Sequence, residues 1–133
     1  MAHIGILVTM APCQFENWET AVDIADVALE KGHKVSFFFY DDGVLNPLRR
    51  QSSPPAPYSG ALSAPYPGAL RASAGIPCER FASLLSRGVA VLICGTGAKM
   101  RGLEARDFID GVKIGGLPDF ALLLTEIDRL VCL

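Results

Sequence analysis

The sequence lacks the residue clusters from which metal centres and catalytic triads are built. It has only two histidines, His3 and His33, and its four cysteines are widely separated, with no Cys-x-x-Cys pair. Structural zinc sites need cysteine and histidine ligands at short characteristic spacings. We therefore expect no metal site, and the two isolated histidines do not indicate a Ser-His-Asp arrangement.

An excess of basic charge and long apolar runs are also absent. The formal net charge is -2, whereas binding to phosphate backbones or anionic membranes needs clustered Lys and Arg. No stretch approaches the roughly 18 apolar residues of a membrane-spanning helix, and no basic segment precedes the first apolar run. These features predict a soluble cytoplasmic protein that binds neither nucleic acid nor membranes and keeps its cysteines reduced.

Short apolar runs alternate with amphipathic segments along the chain. Runs rich in β-branched and aromatic residues predict strands at residues 3–10, 34–40, 89–94, 112–114 and 129–133. Helical spacing and capping residues predict helices at residues 17–31, 77–87, from 98 onward and 118–127. This alternation favours a three-layer α/β/α sandwich around a mostly parallel sheet. The length of 133 residues is that of one domain, residues 1–133.

Residues 47–77 interrupt this alternation. Pro, Ser, Ala and Gly dominate there, and the octapeptide APYSGALS at 56–63 is followed directly by APYPGALR at 64–71. Two copies of eight residues are too few and too short to build a solenoid. The pattern predicts a loop insertion that arose by local tandem duplication, and it favours a mobile surface loop over a dedicated binding motif.

Cys94 ends the most strand-like run of the chain, VAVLIC. Functional groups of parallel α/β sheets collect at the carboxyl ends of strands, and the pKa of a thiol falls beside a helix N-terminus or a cation. The residues after the cysteine offer main-chain N–H groups and positive charge that could stabilise an anionic sulfur: Gly95, Thr96, Gly97, Lys99 and Arg101. The alternative is a buried structural cysteine, which position alone favours.

Other candidate sites have less support. Cys13 also follows a predicted strand and is a possible second thiol for exchange with Cys94, whereas we interpret Cys78 and Cys132 as structural. Arg101 stands one position too far from Cys94 for the phosphate-binding loop of a cysteine phosphatase. The glycines after Cys94 do not have the spacing of a nucleotide-binding P-loop. We expect the pair Asp41-Asp42 to form a turn rather than an acid/base dyad.

Three segments resemble the DsrE/DsrF/TusD family of sulfur-relay proteins. The stretch FFYDDGVLN at Phe38 to Asn46 is similar to the family's segment after its second strand. Cys94 with the following AKMRGL resembles the family's strand-ending active cysteine, and GGLPDFALLLTEIDRLVCL resembles its closing pattern. Together with the opening strand, the resemblance covers nearly everything outside residues 47–77.

The resemblance implies a DsrE-like fold with a five-stranded parallel sheet, and it makes a functional Cys94 the favoured interpretation. Cys94 would accept sulfane sulfur as a persulfide from a donor protein and pass it to an acceptor protein, without a cofactor. Relatives commonly form homo-oligomers, or hetero-oligomers with related subunits. Many relatives have a second cysteine where this chain has Gly97. The alternatives are a non-catalytic oligomeric interaction protein and, ranked last, a small-ligand or nucleotide-binding domain.

Overall fold

The computed structural model describes residues 1–12, 17–51 and 76–133, which form one parallel β-sheet with helices on it. The described strands lie in the order β4-β3-β2-β1-β5, and every neighbouring pair is parallel. The strands are β1 (His3–Val8), β2 (Lys34–Phe39), β3 (Ala90–Cys94), β4 (Lys113–Gly115) and β5 (Arg129–Cys132). The predicted α/β fold with a five-stranded parallel sheet is confirmed.

The aromatic run of β2 fills the core on both faces of the sheet. Successive side chains of a strand point to opposite faces. Phe37 and Phe39 contact Phe81 edge to face, with ring centroids 5.3 Å and 5.0 Å from it. Phe38 stacks on Phe120 at the opposite face, with the ring centroids 4.3 Å apart. A strand covered on both faces in this way needs an almost continuous apolar sequence.

The helices complete a three-layer arrangement. They are α1 (Asn17–Glu30), α2 (Pro77–Ser86), α3 (Gly95–Met100) and α4 (Leu117–Glu126). Because α2 carries Phe81 and α4 carries Phe120, these two helices lie on opposite faces of the sheet. Helix α1 packs beside α2, and Asp26 of α1 forms ion pairs with Arg80 and Arg87. Helix α4 connects β4 at one edge to β5 at the other, so it crosses the whole sheet.

His3 is buried at the start of β1. Its Nδ1 donates to the carbonyl oxygen of Glu126 at 3.2 Å, and its Nε2 lies 2.7 Å from the hydroxyl oxygen of Ser36. The carbonyl accepts only, which fixes the proton on Nδ1. The main-chain N–H of His3 donates to the Asp128 carboxylate at 2.7 Å. These bonds join β1 to β2 and to the segment that connects α4 with β5.

The chain after β3 turns into a helix earlier than the sequence indicated. Helix α3 begins at Gly95, directly after the strand, and not near Ala98. The reason is that Cys94 itself caps the helix, because its sulfur accepts a hydrogen bond from the main chain of the first turn. Arg101 consequently lies at the C-terminal end of the helix, whereas the sequence placed it near the beginning.

Most of the predicted loop insertion at residues 47–77, including both octapeptide copies, lies outside the described residues, and the single-domain organisation stays a prediction. The described start of that segment is held in place. Leu48 forms an isolated antiparallel bridge with Phe108, and the Gln51 amide donates to the carbonyl oxygens of Leu45 and Asn46 at 2.9 Å and 2.8 Å. In the part of the chain that the structure describes, no helix has the length and apolar character to cross a membrane.

Candidate functional site

Cys94 is the last residue of β3 and the N-cap of α3. The residue is 4% exposed. Its Sγ accepts a hydrogen bond from the main-chain N–H of Gly97, with an N to S distance of 3.4 Å. Hydrogen bonds from N–H groups strengthen when the acceptor is ionised. The Gly97 N–H is thus a hydrogen-bond donor directed at this sulfur.

The tight approach of β4 favours a residue without a side chain directly after Cys94. A Cβ atom added to Gly95 would lie 3.0 Å from the carbonyl oxygen of Gly115 and 3.0 Å from Cγ2 of Ile114. These distances are shorter than ordinary van der Waals contacts, and one of the two contacts is with main chain that cannot rotate away. The glycine thus lets β3 and β4 continue side by side up to the cysteine.

A pocket of about 460 Å³ opens beside Cys94 at the carboxyl edge of the sheet. Its walls come from the segments that follow three adjacent strands, as expected for a parallel sheet. Residues after β2, β3 and β4 line it together with the cysteine: Tyr40, Asp41, Thr96, Gly97, Met100, Arg101, Gly116, Leu117 and Pro118. Met100 is 82% exposed and Leu117 is 56% exposed. The mouth of the pocket is therefore mainly apolar.

Arg101 links the segment after β2 to the turn that holds the cysteine. Its Nη2 lies 2.8 Å from Oδ1 of Asp41 and 2.7 Å from Oδ1 of Asp42. Its Nη1 donates to the carbonyl oxygen of Gly97 at 3.0 Å. The hydrogen bond to Asp42 raises the pKa of Arg101 above its usual value, more than desolvation lowers it. The guanidinium is therefore positively charged at neutral pH.

The acidic pair and Arg101 form one cluster, which we call the Arg101 cluster: Asp41, Asp42 and Arg101. With both carboxylates ionised, the formal charge of this cluster is about minus one. The sequence interpreted Asp41 and Asp42 as turn residues. The turn is a 3₁₀ helix, Asp41–Leu45, and its two carboxylates also bind the arginine.

The predicted anion-stabilising residues take different positions. Gly95 and Gly97 are buried beside Cys94, whereas Thr96 and Lys99 are exposed. Thr96 lines the pocket, and the guanidinium of Arg101 is occupied by the two aspartates. The structure thus brings the Gly97 N–H to the sulfur and places the arginine charge against carboxylates.

The other cysteines are separate from the pocket or lie outside the described residues. Cys13 belongs to the second group, so its cooperation with Cys94 stays a prediction. Cys78 is buried at the start of α2. Cys132 is exposed on β5, at the other edge of the sheet from β4, and its interpretation as a structural residue stays a prediction. No group of three or more His, Cys, Asp and Glu side chains in the described ranges could hold a metal ion.

Several pocket residues were missed in the sequence. The sequence assigned Tyr40 to the second strand and Pro118 to the start of a helix, and it gave Leu117 no role. A usable signal existed for all three, because each lies within three residues after the end of a strand of a parallel sheet and so reaches the same edge as Cys94. Their apolar character hid the signal, since apolar residues next to strands are usually part of the core.

The sequence matches one protein family and individual proteins over almost its whole length. The sequence profile described as the DsrE/DsrF-like family matches residues 2–133. The protein MK0008 of Methanopyrus kandleri is 27% identical over 128 residues, which cover 96% of this chain and 91% of the relative. The protein MJ0989 of Methanocaldococcus jannaschii is 25% identical over 126 residues, which cover 95% of each chain.

Solved structures show the same fold. The ychN protein from E. coli superposes with a TM-score of 0.73 at 22% identity, and the match covers 100% of both chains. The protein MTH1491 from Methanobacterium thermoautotrophicum superposes with a TM-score of 0.62 at 18% identity, again over 100% of both chains. The part of the chain that the structure describes thus has the fold of the ychN protein.

Proposed function

Since this chain belongs to the DsrE/DsrF-like family, we propose that Cys94 accepts sulfane sulfur as a persulfide and passes it to a partner protein in the cytoplasm. The observation that carries this proposal is the position of the thiol. The thiol lies at the end of a central strand, accepts a hydrogen bond from the Gly97 N–H and lines an open pocket. A thiol whose role was only to fill the core would not need either the donor or the pocket.

The proposed loading step needs no external oxidant or reductant. The Cys94 thiolate attacks the outer sulfur of a donor persulfide, R–S–SH. A new S–S bond forms to Cys94, the S–S bond of the donor breaks, and the donor leaves as its thiolate. Cys94 then carries the outer sulfur with its proton, and the total charge is unchanged.

Transfer repeats the same exchange in the opposite sense. An acceptor thiolate attacks the outer sulfur of the Cys94 persulfide and takes it over, which regenerates the Cys94 thiolate. The Gly97 N–H donates to the inner sulfur while charge develops there, and this stabilisation is already in place before the reaction begins. Thr96 and Lys99 stand at the exposed side of the same turn, where a partner protein would reach them.

Partner proteins and a second copy of the chain are part of the proposal. Members of this family generally act in sulfur relay with partners and form oligomers. In this chain, large apolar side chains are exposed at the pocket mouth and on α4, among them Met100, Leu117 and Leu122. Exposed apolar patches of this kind are typical of protein–protein interfaces. We propose that the pocket mouth receives the donor and acceptor, and that α4 contacts another subunit.

The proposal predicts that Cys94→Ser abolishes sulfur uptake and leaves the fold intact. The hydroxyl of serine fits the space of the thiol but cannot form a persulfide. The measurement is transfer of labelled sulfane sulfur from a persulfidated donor, with circular dichroism to verify folding. Cys78→Ser and Cys132→Ser are the matched controls, because both remove a thiol outside the pocket, and both should load as the wild type does.

Uptake by folded Cys94→Ser would refute the assignment of the site. The alternative function, a non-catalytic oligomeric interaction protein, has support in the exposed apolar residues of α4. It predicts that wild-type protein and Cys94→Ser are equally unable to take up sulfur and bind partners equally well. A pull-down with both proteins in parallel to the uptake assay separates these two functions.

A further inference from the structure

We infer that Arg101 is a positioning residue for the Cys94 thiol, which it controls through the main chain of Gly97 and not through its own charge. The inference rests on the proposed function, because it explains how the same sulfur is activated. The geometry that carries it is the unbroken series of contacts from the Arg101 cluster to the cysteine. The carbonyl oxygen of Gly97 accepts a hydrogen bond from Arg101, and the N–H of the same residue donates to the sulfur.

The contacts fix Gly97 from both sides. Its N–H donates to Sγ of Cys94, 3.4 Å from the nitrogen, and its carbonyl accepts from Nη1 of Arg101 at 3.0 Å. Glycine has the greatest main-chain freedom of any residue, so an unsupported Gly97 could turn its N–H away from the sulfur. The bond from Arg101 removes that freedom at the N–H that donates to the thiol.

The guanidinium is itself held by two carboxylates. Its Nε and Nη2 atoms both approach Oδ1 of Asp42, at 3.2 Å and 2.7 Å, and Nη2 also bonds Asp41. Both aspartates open the 3₁₀ helix after β2, and its third residue, Gly43, is packed against the main chain of Val8. The planar fork of arginine can reach two carboxylates and a carbonyl at once, which a lysine ammonium cannot do in the same geometry.

The charges of the cluster argue against a direct electrostatic role. The two carboxylates more than offset the guanidinium, so the cluster offers the sulfur no net positive charge. Partly exposed ion pairs of this kind also contribute little to stability. Variants of Arg101 should therefore fold, and the consequence of losing the residue should appear at the thiol.

The first test is Arg101→Lys, which keeps the charge and loses the fork. The measurement is the rate of iodoacetamide alkylation of Cys94 against pH, followed on the Cys94 peptide by mass spectrometry. Alkylation reports the thiolate and involves no sulfur transfer. We expect the midpoint of the profile to move up by about one pH unit and the rate below it to fall about tenfold, the effect of losing one hydrogen bond to an ionised sulfur.

A double variant is a second way to distinguish the positioning role of Arg101 from an effect of its charge. Arg101→Gln removes the positive charge, and Asp42→Asn in the same chain removes one negative charge, which restores the formal charge of the wild-type cluster. A positioning role predicts that Arg101→Gln and the double variant both keep the raised midpoint. A charge effect predicts that the double variant returns to the wild-type profile.

Arg49→Gln is the matched control. Arg49 also joins a carboxylate and a main-chain carbonyl, those of Asp110 and Phe108 at 2.8 Å and 2.9 Å, but it does not line the pocket. Its substitution should leave the Cys94 profile unchanged. An unchanged midpoint in Arg101→Lys, or a restored one in the double variant, would overturn the inference and leave the sulfur-uptake result of wild-type Cys94 unaffected. Failed uptake with a shifted midpoint would overturn only the proposed function.

Discussion

Gly43 shows how one residue without a side chain positions the segment that holds Arg101. A Cβ atom at this position would lie 2.0 Å from the carbonyl oxygen of Val8 and 2.8 Å from its carbonyl carbon. The contact is with main chain of β1, which cannot rotate away. Only glycine allows the 3₁₀ helix after β2 to lie this close to the end of β1.

We predict that Gly43→Ala destabilises the protein by about 1–3 kcal/mol, because an added methyl group in a tightly packed site forces main chain apart. Urea denaturation measures the loss. Gly116→Ala is the control, since a Cβ there would lie 3.4 Å from Cδ of Pro118, an ordinary contact. A change below about 0.5 kcal/mol in Gly43→Ala would contradict the close approach.

At the residue scale, the sequence could identify Cys94 but not its surroundings. A cysteine at the end of an apolar strand, before glycines, is visible in the sequence, and so are the nearby cations. The partners of Arg101 are not, because Asp41 and Asp42 precede it by about sixty residues. Local patterns carry no information about contacts at that distance, and the same reason explains why the buried bond of His3 with Ser36 was missed.

Helix α4 packs on the sheet through Phe120 and Leu123, which both contact the core. None of its residues is fully buried. Phe120 is its stacking residue, with its ring 8° from parallel to the ring of Phe38, which is 1% exposed. Since Leu117 and Pro118 in the first turn of α4 form a wall of the pocket, this contact also holds part of the site.

We predict that Phe120→Ala lowers the free energy of unfolding by about 3 kcal/mol, the low end of the cost of deleting an aromatic ring from a core, because Phe120 is only partly buried. The measurement is again urea denaturation. Val27→Ala on α1 serves as the control, because Val27 is 51% exposed and should change stability by at most about 0.5 kcal/mol. Equal losses in the two variants would show that the stacking does not secure α4.

At the element scale, most strands and helices could be predicted, and the errors lie at their ends. The apolar runs of β1, β2 and β3 and the spacing in α1 are strong local signals. The start of α3 was placed three residues late, because glycines usually mark turns and the cap provided by the cysteine sulfur is a tertiary detail. Strand β4 is three residues long, Lys113–Gly115, and such a short run defines its limits poorly.

The two faces of the molecule differ in how well they are covered. Of the described large apolar residues that are exposed, seven lie at the pocket mouth or in β4, α4 and β5: Tyr40, Met100, Ile114, Leu117, Leu122, Leu124 and Leu130. On α1 and α2, by contrast, Val27 alone belongs to this set. The uneven distribution is what a subunit interface on the α4 side would produce.

We predict that the wild-type chain self-associates and that Leu122→Glu shifts it towards monomer. Leu122 is 63% exposed, so a glutamate there should not disturb the subunit itself, but it would place an unpaired charge in an apolar interface. Light scattering after size-exclusion chromatography gives the mass. Val27→Glu on the other face is the control and should keep the wild-type mass. A monomeric wild type, or an unchanged mass in Leu122→Glu, would contradict the proposed interface.

At the scale of the whole molecule, the alternation of strands and helices was enough to predict the α/β class and the parallel sheet. The strand order was not predicted, because β5 pairs with β1 across almost the full length of the chain. The pocket depends on only part of that strand order. Its walls are the segments after three adjacent strands, β2, β3 and β4. The sequence was therefore sufficient to predict the cysteine of the pocket, but not the residues that form its walls.

The most direct test of sulfur transfer by Cys94 is to locate the sulfur after loading. The wild-type protein is incubated with a sulfane-sulfur donor, persulfides are trapped by alkylation, and the peptides are mapped by mass spectrometry with and without reduction. We predict a reducible gain of one sulfur atom on the peptide that contains Cys94. A folded protein with a free Cys94 thiol that gains no sulfur, or gains it only on another cysteine, would contradict the proposal.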